Sequence, residues 1–506
     1  MRYAPYFLFM LCVLNLQAQS QQIQIVDSLS LEPIPFATVH FSNNKGLITD
    51  AIGFFELLPE QLEVNDSLFV SSLGYDRLAV GLKQLQDSIL YVMPKAIALD
   101  NVILTNKSYT SEKIIDLVQE RLERNYSTDY SKKRLFLREY YTQNTKKLDI
   151  SKYKTSIPEL NRKLLDSFLV NMPRTNEFTI ETLCNYVGDF EEENQKINLI
   201  KARLTYDKGN DLMQSLNERI ETVLRENVKT DSYFKIRSGI FGGKMDVDGL
   251  EKEVDSTDLV ALKELEKKRA ENKLKWKENF AKQKKQRIAE LYSELFFTKK
   301  AELNCIQKPS RYLFSDPELT FEGSNLTYVI KYKPKGGADF EGTLYINAED
   351  FAVTRLDFSN VKSLFKLKLL GFSYNENLKS GRMIFSKNTN GQYALSYLQM
   401  TEGSLIGVDR PLKFIEKNKF VKGRRKQNEI SFRLDLAMRS TDQYELRVFD
   451  HEALTEEAFQ AIEEKNDVLP VYHKEFTTNF WEEFWNAQPL FIASLISFFE
   501  KCFLGI

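Results

Sequence analysis

The sequence predicts a mainly β protein with helical insertions, of the α+β class, and three observations support this. Aromatic residues make up 12% of the 506 residues, with 36 Phe and 23 Tyr, and aromatic side chains favour strands. Apolar and polar residues alternate with period two along much of the chain, above all after residue 310. Hydrophobic residues reach 42%, which excludes a disordered chain.

Length and charge limit the possible classes of function. A chain of 506 residues is long enough for two or three domains. The 70 Lys and Arg residues nearly balance the 71 Asp and Glu residues, and the formal net charge is -1. No global electrostatic field therefore favours nucleic acid, which is not expected as a partner.

Residues 1–18 have the pattern of a secretory signal peptide. Arg2 precedes an apolar run from Phe7 to Leu16, and the small Ala18 follows it. The run is shorter than the roughly 20 residues that a membrane-spanning helix needs. We therefore expect an exported protein of the cell envelope, located in the periplasm or at the outer membrane of a Gram-negative bacterium.

Residues 19–104 predict a small β-sandwich, because short apolar runs alternate there with Pro, Gly, Asn and Asp. The stretch SNNKGLITDAIGFFEL is predicted to form a hairpin with glycines at its turns. The residues of this pattern that we single out are Pro33, Pro35, Gly46, Asp50, Gly53, Phe55, Gly74 and Tyr75.

With EPIPFATV and SSLGYDRL around that hairpin, this region resembles the carboxypeptidase-regulatory-like domain of secreted bacterial proteins. The resemblance implies a transthyretin-like β-sandwich, related to carbohydrate-binding folds, with no catalysis of its own. No cofactor and no metal site are expected. A zinc carboxypeptidase needs His and carboxylate ligands in a fixed spacing, and His40, His451 and His473 do not stand in one.

Residues 105–450 predict an α+β domain with a large antiparallel sheet. It opens with an amphipathic helix over residues 109–125, for which Ser111 is the expected N-cap. The following RLFLREYY loosely resembles an element that follows the sandwich in many secreted proteins. Arg138 and Glu139 are adjacent in this element. We favour the interpretation that their charges lie on opposite faces of a strand over the interpretation that they form a catalytic pair.

A charged helical insertion is predicted at about 250–300. The segment lacks Gly and Pro between residues 251 and 300, mixes both signs of charge, and carries apolar residues such as Trp276 and Ile288 at loose helical intervals. We expect a solvated long helix or helical pair that forms an inserted, mobile subdomain. A nucleic-acid-binding patch is disfavoured, because Glu residues are interleaved with the basic ones.

The strands after residue 310 predict a broad antiparallel meander that can curl into a half-barrel. Asn390-Gly391 predicts a two-residue hairpin turn. The hairpin GTLYINAEDFAVTRLDF resembles a generic element of bacterial lipoprotein carriers and related periplasmic half-barrels. That resemblance implies a cavity for a lipid, although a filled core is the favoured interpretation.

Residues 451–506 predict a C-terminal helical segment. Its part from Trp481 to Phe499 is rich in aromatic and aliphatic residues, but the uninterrupted apolar run is too short to cross a membrane. We expect it to pack on the sheet as a lid. Peripheral contact with the outer membrane is the alternative.

The function predicted from these features is non-enzymatic. The chain is expected to be an exported envelope protein that binds or scaffolds through its β-sandwich, with envelope proteins or glycans as candidate partners. One alternative is a carbohydrate-binding component of a nutrient-uptake system, with Tyr75 and Phe54 as aromatic faces. The other is a periplasmic carrier of a lipid or other apolar ligand. A hydrolase is disfavoured, because no nucleophile, base and orienting residue stand in a recognisable spacing.

Overall fold

The computed structural model divides the chain into two units. One consists of residues 1–101 and 476–506, and the other of residues 102–475. The structure describes residues 21–28, 31, 33–34, 37–41, 46–49, 53–57, 67–72, 75, 78–81, 85, 88–93, 109–206, 211–229, 231–239, 241–246, 259–322, 325–388, 390–420, 425–465, 467–474 and 478–481. The predicted signal peptide, residues 1–18, lies outside these ranges, as do the residues after Trp481.

The first unit contains seven described strands in two small sheets. They are β1 (Gln21–Asp27), β2 (Thr38–Phe41), β3 (Gly46–Ile48), β4 (Phe54–Leu57), β5 (Ser67–Ser71), β6 (Leu78–Gly81) and β7 (Ile89–Val92). One sheet has the order β4-β1-β7 and the other β3-β2-β5-β6. Apolar side chains of both sheets, among them Ile25, Val39, Phe55 and Val70, form one buried cluster. Alternate residues of short strands therefore supply a common core.

Gly53 precedes β4 at a position that requires glycine. Its φ is +77°, a region that L side chains enter only with strain. A Cβ there would lie 2.7 Å from the carbonyl oxygen of Ile25 and 3.2 Å from the amide nitrogen of Ile34. The close approach lets the Gly53 carbonyl accept a hydrogen bond from the Ile25 N–H at 2.8 Å.

Replacing Gly53 with Val is expected to destabilise the first unit by about 1–3 kcal/mol, because a β-branched residue is strained at positive φ. Gly53→Asn should cost less, since Asn tolerates this region better. Chemical denaturation of the wild type, Gly53→Asn and Gly53→Val measures their free energies of unfolding and checks this order of stability. Equal stability of Gly53→Val and the wild type would contradict the conformational argument.

The second unit is built on one large sheet. Its strands are β8 (Ser131–Thr155), β9 (Thr175–Gly188), β10 (Gln195–Tyr206), β11 (Ser232–Ser238), β12 (Phe241–Asp246), β13 (Tyr312–Phe314), β14 (Glu318–Glu322), β15 (Asn325–Pro334), β16 (Phe340–Asn347), β17 (Val353–Asn360), β18 (Phe365–Leu369), β19 (Phe372–Lys387), β20 (Tyr393–Asn418), β21 (Lys426–Ala453) and β22 (Val471–His473). Its helices are α1 (Ser111–Glu120), α2 (Leu122–Asn125), α3 (Arg162–Asn171), α4 (Asp211–Asn227), α5 (Leu259–Ser293) and α6 (Glu456–Gln460).

The sheet has the order β13-β15-β16-β17-β19-β20-β21-β8-β9-β10-β22. Neighbours along this path are antiparallel except β22, which runs parallel to β10. At its centre β8, β20 and β21 are 25, 26 and 28 residues long. The mainly β, α+β prediction is confirmed for the residues that the structure describes.

One face of the sheet, called here the core face, carries the main apolar core. Its aromatic centre is Tyr126, whose ring stacks on Phe297 with centroids 4.6 Å apart and meets Phe296 and Phe385 edge to face. Buried residues of α1 and of the second half of α5 complete this cluster. Over this part of the sheet the core is filled with side chains.

Two local predictions needed correction. The N-cap of α1 is Thr110, whose hydroxyl accepts a hydrogen bond from the Lys113 N–H, while Ser111 is buried and donates to the Ser315 carbonyl. The hairpin predicted at Asn390-Gly391 forms between β19 and β20. Its connection is longer than two residues, because the last paired residues are Lys387 and Tyr393.

The prediction of a solvated insertion at 250–300 is wrong for its second half. From Leu259 to Ser293 the segment is one helix, α5, in which Trp276 is 72% exposed but Ile288 and Leu291 are fully buried. The side chains at 281, 284, 288 and 291 are all buried, and they share one helix face. This half of the helix is part of the core and not a separate subdomain.

The predicted lid from Trp481 to Phe499 lies, apart from its first residue, outside the described residues. In the described part of the second unit, α1 and α5 supply buried side chains to the main core, and Leu122 of α2 packs against it. No helix among the described residues is both long and apolar enough to cross a membrane.

Candidate functional site

The motif residues of the first unit have structural surroundings. Pro33 forms an isolated bridge with Val26, Gly46 begins β3, and Phe55 is buried in the shared cluster. Pro35, Asp50 and Gly74 lie outside the described residues.

The side chains of Tyr75 and Phe54, predicted as glycan-binding faces, are only partly exposed to solvent. Tyr75 packs against the buried cluster, and its hydroxyl donates to Oδ2 of Asp27 at 3.0 Å. Phe54 is half-buried in β4. Within the described residues, these two side chains do not form an open stacking surface for a sugar.

Within the described ranges, no group of three or more His, Cys, Asp or Glu side chains is placed to hold a metal ion. His451 lies in β21 opposite Lys133. Burial lowers the pKa of His451 to about 4, and the nearby Lys133 acts in the same direction. Cys184 and Cys305 are buried free thiols, and burial raises the pKa of Cys305 to about 12.

Arg138 and Glu139 point to opposite faces of β8, and both are buried, at 2% and 1% exposure. On the face opposite the core, a row of charges crosses four strands. Arg203, Glu181, Arg138 and Glu445 are consecutive cross-strand partners. Glu181 accepts from Nε of Arg138 at 2.9 Å and from Nε of Arg203 at 2.5 Å. We call these four residues the charge row.

Glu139 faces the core and binds helix α5. Its carboxylate pairs with Lys284 and accepts a hydrogen bond from the Tyr141 hydroxyl at 2.9 Å. The Nε of Arg287 lies 3.8 Å from Oε1 of Glu139. Burial lowers the pKa of Lys284, although Glu139 acts against this effect. The arrangement anchors the helix to the sheet and leaves no group of this pair free for chemistry.

Beyond the filled core, the core face continues as an apolar surface. In register across four strands lie Phe372, Val408, Leu436 and Leu148. Neighbouring rows add further inward-facing side chains. We call this surface the apolar platform, and its members are Phe372, Tyr374, Ile406, Val408, Leu412, Phe414, Phe432, Leu434, Leu436, Met438, Leu148 and Ile150.

The exposure of the core face changes along a single strand. On β20, Leu398 and Met400 are 0% and 3% exposed, whereas Ile406 and Val408 on the same face are only half-buried. The main core extends to Tyr444 on β21, and a small cluster with α3 and α4 begins at Ile430. The platform lies between these two buried clusters.

The opposite face of the same strands is charged. Lys147 pairs with Asp435 at 2.5 Å, and Arg433 pairs with Asp409 at 2.7 Å. This segment of sheet is therefore amphipathic, with ion pairs on one side and aliphatic and aromatic side chains on the other. An antiparallel sheet with one solvated face normally covers its apolar face.

A polar pocket of about 290 Å³ adjoins the platform at its border with the main core. Platform residue Tyr374 also lines this pocket. The other lining residues are Glu294, Glu302, Leu364, Glu376, Leu378, Lys379, Glu402, Gly403, Ser404, Ser440 and Asp442. A second, more open groove of about 560 Å³ lies over the strands β15 to β20, and Lys331, Asp357 and Arg382 are among its lining residues.

Burial influences the charges in the 290 Å³ pocket. It raises the pKa of Glu402 and of Asp442, which favours their neutral forms. The Nζ of Lys379 lies 3.0 Å from Glu294 and 2.8 Å from Glu302. Burial alone would lower the pKa of Lys379, but these carboxylates outweigh it and the pKa is raised. The pocket can thus contact a polar group with both charged and hydroxyl side chains.

The sequence pointed to this sheet but not to the extent of the platform. The alternation in ISFRLDLAM places Ile430, Phe432 and Leu434 on one face and Ser431 and Arg433 on the other. The same pattern would arise if the apolar face were covered by a helix. Only the register and the change in burial along β20 distinguish a half-buried surface from a filled core.

No protein-family model matches the chain, and no curated protein matches it.

Among solved structures, the chain is similar to a domain of an outer membrane lipoprotein-sorting protein from Vibrio parahaemolyticus, with 10% identity, 69% of this chain and 96% of that chain covered, and a TM-score of 0.20. It is also similar to a LolA superfamily protein from Nitrosomonas europaea, with 11% identity, 70% of this chain and 98% of that chain covered, and a TM-score of 0.17. A third similar structure is the MucA/MucB complex of Pseudomonas aeruginosa, with 7% identity, 64% of this chain and 93% of that chain covered, and a TM-score of 0.14.

Proposed function

We propose that the second unit binds the acyl chains of a lipid on the apolar platform, and that the protein is a non-enzymatic lipid carrier of the periplasm. The observation that carries this proposal is the apolar surface that continues the core face beyond the main core. Half-buried apolar side chains over several adjacent strands gain free energy when a ligand removes them from water.

The position of the polar pocket favours an amphiphilic ligand. Tyr374 belongs to the platform and lines the pocket, and Ile406, its cross-strand partner, is two residues from the pocket residue Ser404. An apolar chain on the platform could therefore place its polar end at the pocket. Ligand sites commonly combine such an apolar lining with a few polar groups.

The first unit has a separate proposed role. We propose that residues 19–104 are a carboxypeptidase-regulatory-like module that scaffolds the protein in the envelope. Two small sheets around one apolar cluster support an independent folding unit.

Ile406→Glu tests the platform against its matched control, Leu405→Glu. The two residues are adjacent on β20 and face opposite sides of the sheet, since Ile406 pairs with Met438 and Leu405 with Arg439. A carboxylate at 406 must lose its hydration when an acyl chain binds, and we expect affinity to fall at least about tenfold. Leu405→Glu should change affinity by less than about twofold, because it lies beside Arg439.

Fluorescence anisotropy of a monomeric fluorescent fatty acid, with the purified full-length chain, measures these affinities. Circular dichroism of both variants verifies that the sheet is retained. The proposal is wrong if the wild type does not bind the fatty acid, or if the two substitutions weaken binding equally.

A further inference from the structure

Three parts of the second unit meet at one edge of the platform, where the pairing of β20 passes from β19 to β11. They are the turn between β18 and β19, the turn between β11 and β12, and Arg410 on β20. The Arg410 guanidinium donates to the Leu370 carbonyl in the first turn and to the carbonyl of Ser238 in the second, at 2.5 Å. Its Cζ also lies 4.9 Å from the ring centre of Phe241. Arg410 therefore holds the two hairpin ends together.

These hairpin ends expose large apolar side chains. Leu369, Leu370, Phe372 and Phe241 are 55%, 56%, 37% and 51% exposed. We call these four residues the tip cluster. Its residue Phe372 is also the first residue of a platform row, so the tip cluster adjoins the platform, and Arg410 lies on the same face of β20 between Val408 and Leu412.

Leu370 occupies a backbone position that does not suit it. Leu369 pairs with Phe372, and the two residues between them, Leu370 and Gly371, have φ values of +48° and +79°. Positive φ at both positions defines a type I′ turn, whose first residue is normally Asn, Asp or Gly. A leucine there costs backbone strain and exposes apolar surface, and neither consequence benefits the isolated hairpin.

Basic side chains surround the tip cluster. Lys366 and Lys368 alternate with the apolar residues of β18 and are exposed, as are Arg237 and Lys244 near the other turn. Lys235 and Lys244 are direct cross-strand partners, a pairing of like charges that is unfavourable unless an anion offsets it.

The exposed carboxylate of Asp409 at this end is already engaged with Arg433, at 2.7 Å. The tip thus combines exposed apolar residues with an excess of positive charge.

We propose that the tip cluster docks on the surface of an anionic lipid bilayer, with Leu370 and Phe241 entering the interface and the surrounding lysines binding lipid phosphates. Apolar insertion combined with basic residues is the pattern by which proteins bind to such surfaces. The biological role of this docking rests on the proposed function, since a lipid carrier must collect its ligand from a membrane. Docking itself is measured independently of ligand binding.

Leu370→Asn is the decisive variant. A role of Leu370 in membrane docking and a role in stabilising the fold predict opposite effects of this substitution. Asn favours the first position of a type I′ turn, so the hairpin should be at least as stable as in the wild type. Membrane binding should nevertheless fall several-fold, since an apolar contact with the interface is lost. A residue that served only to stabilise the fold would lower stability when replaced and leave membrane binding unchanged.

Co-sedimentation of the full-length chain with vesicles of phosphatidylcholine, with and without phosphatidylglycerol, measures docking. We expect binding only to the anionic vesicles, a several-fold loss for Leu370→Asn, and a loss of about fivefold for each of Lys366→Gln and Lys368→Gln. Raising the salt concentration should weaken binding of the wild type.

Two outcomes would overturn the inference: failure of the wild type to bind anionic vesicles, or unchanged binding by Leu370→Asn. The second outcome would place the membrane contact elsewhere in the chain. Failure of the proposed function is distinguishable, because it appears as loss of fatty-acid binding in solution. Leu370→Asn should retain that binding.

Discussion

Replacing Glu181 with Ala is expected to destabilise the second unit by about 3–5 kcal/mol, because it removes one partner from a buried ionic group. The side chains of Arg138, Glu181 and Arg203 are 3%, 1% and 0% exposed. Without Glu181, the guanidinium of Arg203 loses this carboxylate, and Arg138 keeps its ion pair with Glu445. Two buried guanidinium groups, one on β8 and one on β10, would then flank the position of the missing carboxylate on β9.

Urea denaturation followed by far-ultraviolet circular dichroism measures this loss. Hydrogen exchange of β8, β9 and β10 shows whether it is centred on the charge row. Glu177→Ala is the matched control, since Glu177 is an exposed residue of the same strand and its replacement should cost no more than about 0.5 kcal/mol. A stability of Glu181→Ala close to that of the control would mean that the charge row does not need its central carboxylate.

The second large effect is expected at the pair of Glu139 and Lys284. Glu139→Leu should destabilise the second unit by about 3–5 kcal/mol, because Lys284 is left buried without the carboxylate. Lys284→Met should cost less, since Arg287 and Tyr141 still contact Glu139. The double variant should be more stable than Glu139→Leu, because an apolar pair of similar size can replace a buried ion pair.

A double-mutant cycle measured by urea denaturation gives the coupling between the two residues. Lys285→Met is the control on the same helix. Its ammonium pairs with Glu464 at 2.9 Å, but both side chains are more than a quarter exposed, and such pairs contribute about 1 kcal/mol or less. Additive effects of Glu139→Leu and Lys284→Met would show that their contact contributes nothing to the anchoring of α5.

The class of fold was accessible from the sequence because period-two alternation is a local property. Strands such as β15 and β16, and the helix that begins near Tyr109, follow from the pattern of neighbouring residues. Gly53 was also predictable, since a glycine before Phe54-Phe55 suggests a turn with positive φ, and its φ of +77° agrees.

Features that depend on distant pairing were not accessible. Lys284 interrupts the apolar stripe of α5, and only its contact with Glu139 explains how the helix face is buried. Likewise, Arg138 and Glu181 appear as ordinary strand charges until the register aligns them with Arg203. The platform and the tip cluster are properties of several strands together, so no single stretch of sequence reveals them.

The pairing of β8 with β21 has a consequence for how the chain reaches this structure. Ser131 pairs with Ala453 and Thr155 with Ile430, so one edge of β8 gains its partner only after nearly the whole second unit has been synthesised. Contacts between such distant residues form slowly, because a long loop must close first. Until then β8 presents a 25-residue strand with an unpaired edge, which can pair with other chains. Folding of this unit is therefore a competition between closure of the central sheet and association of incomplete chains.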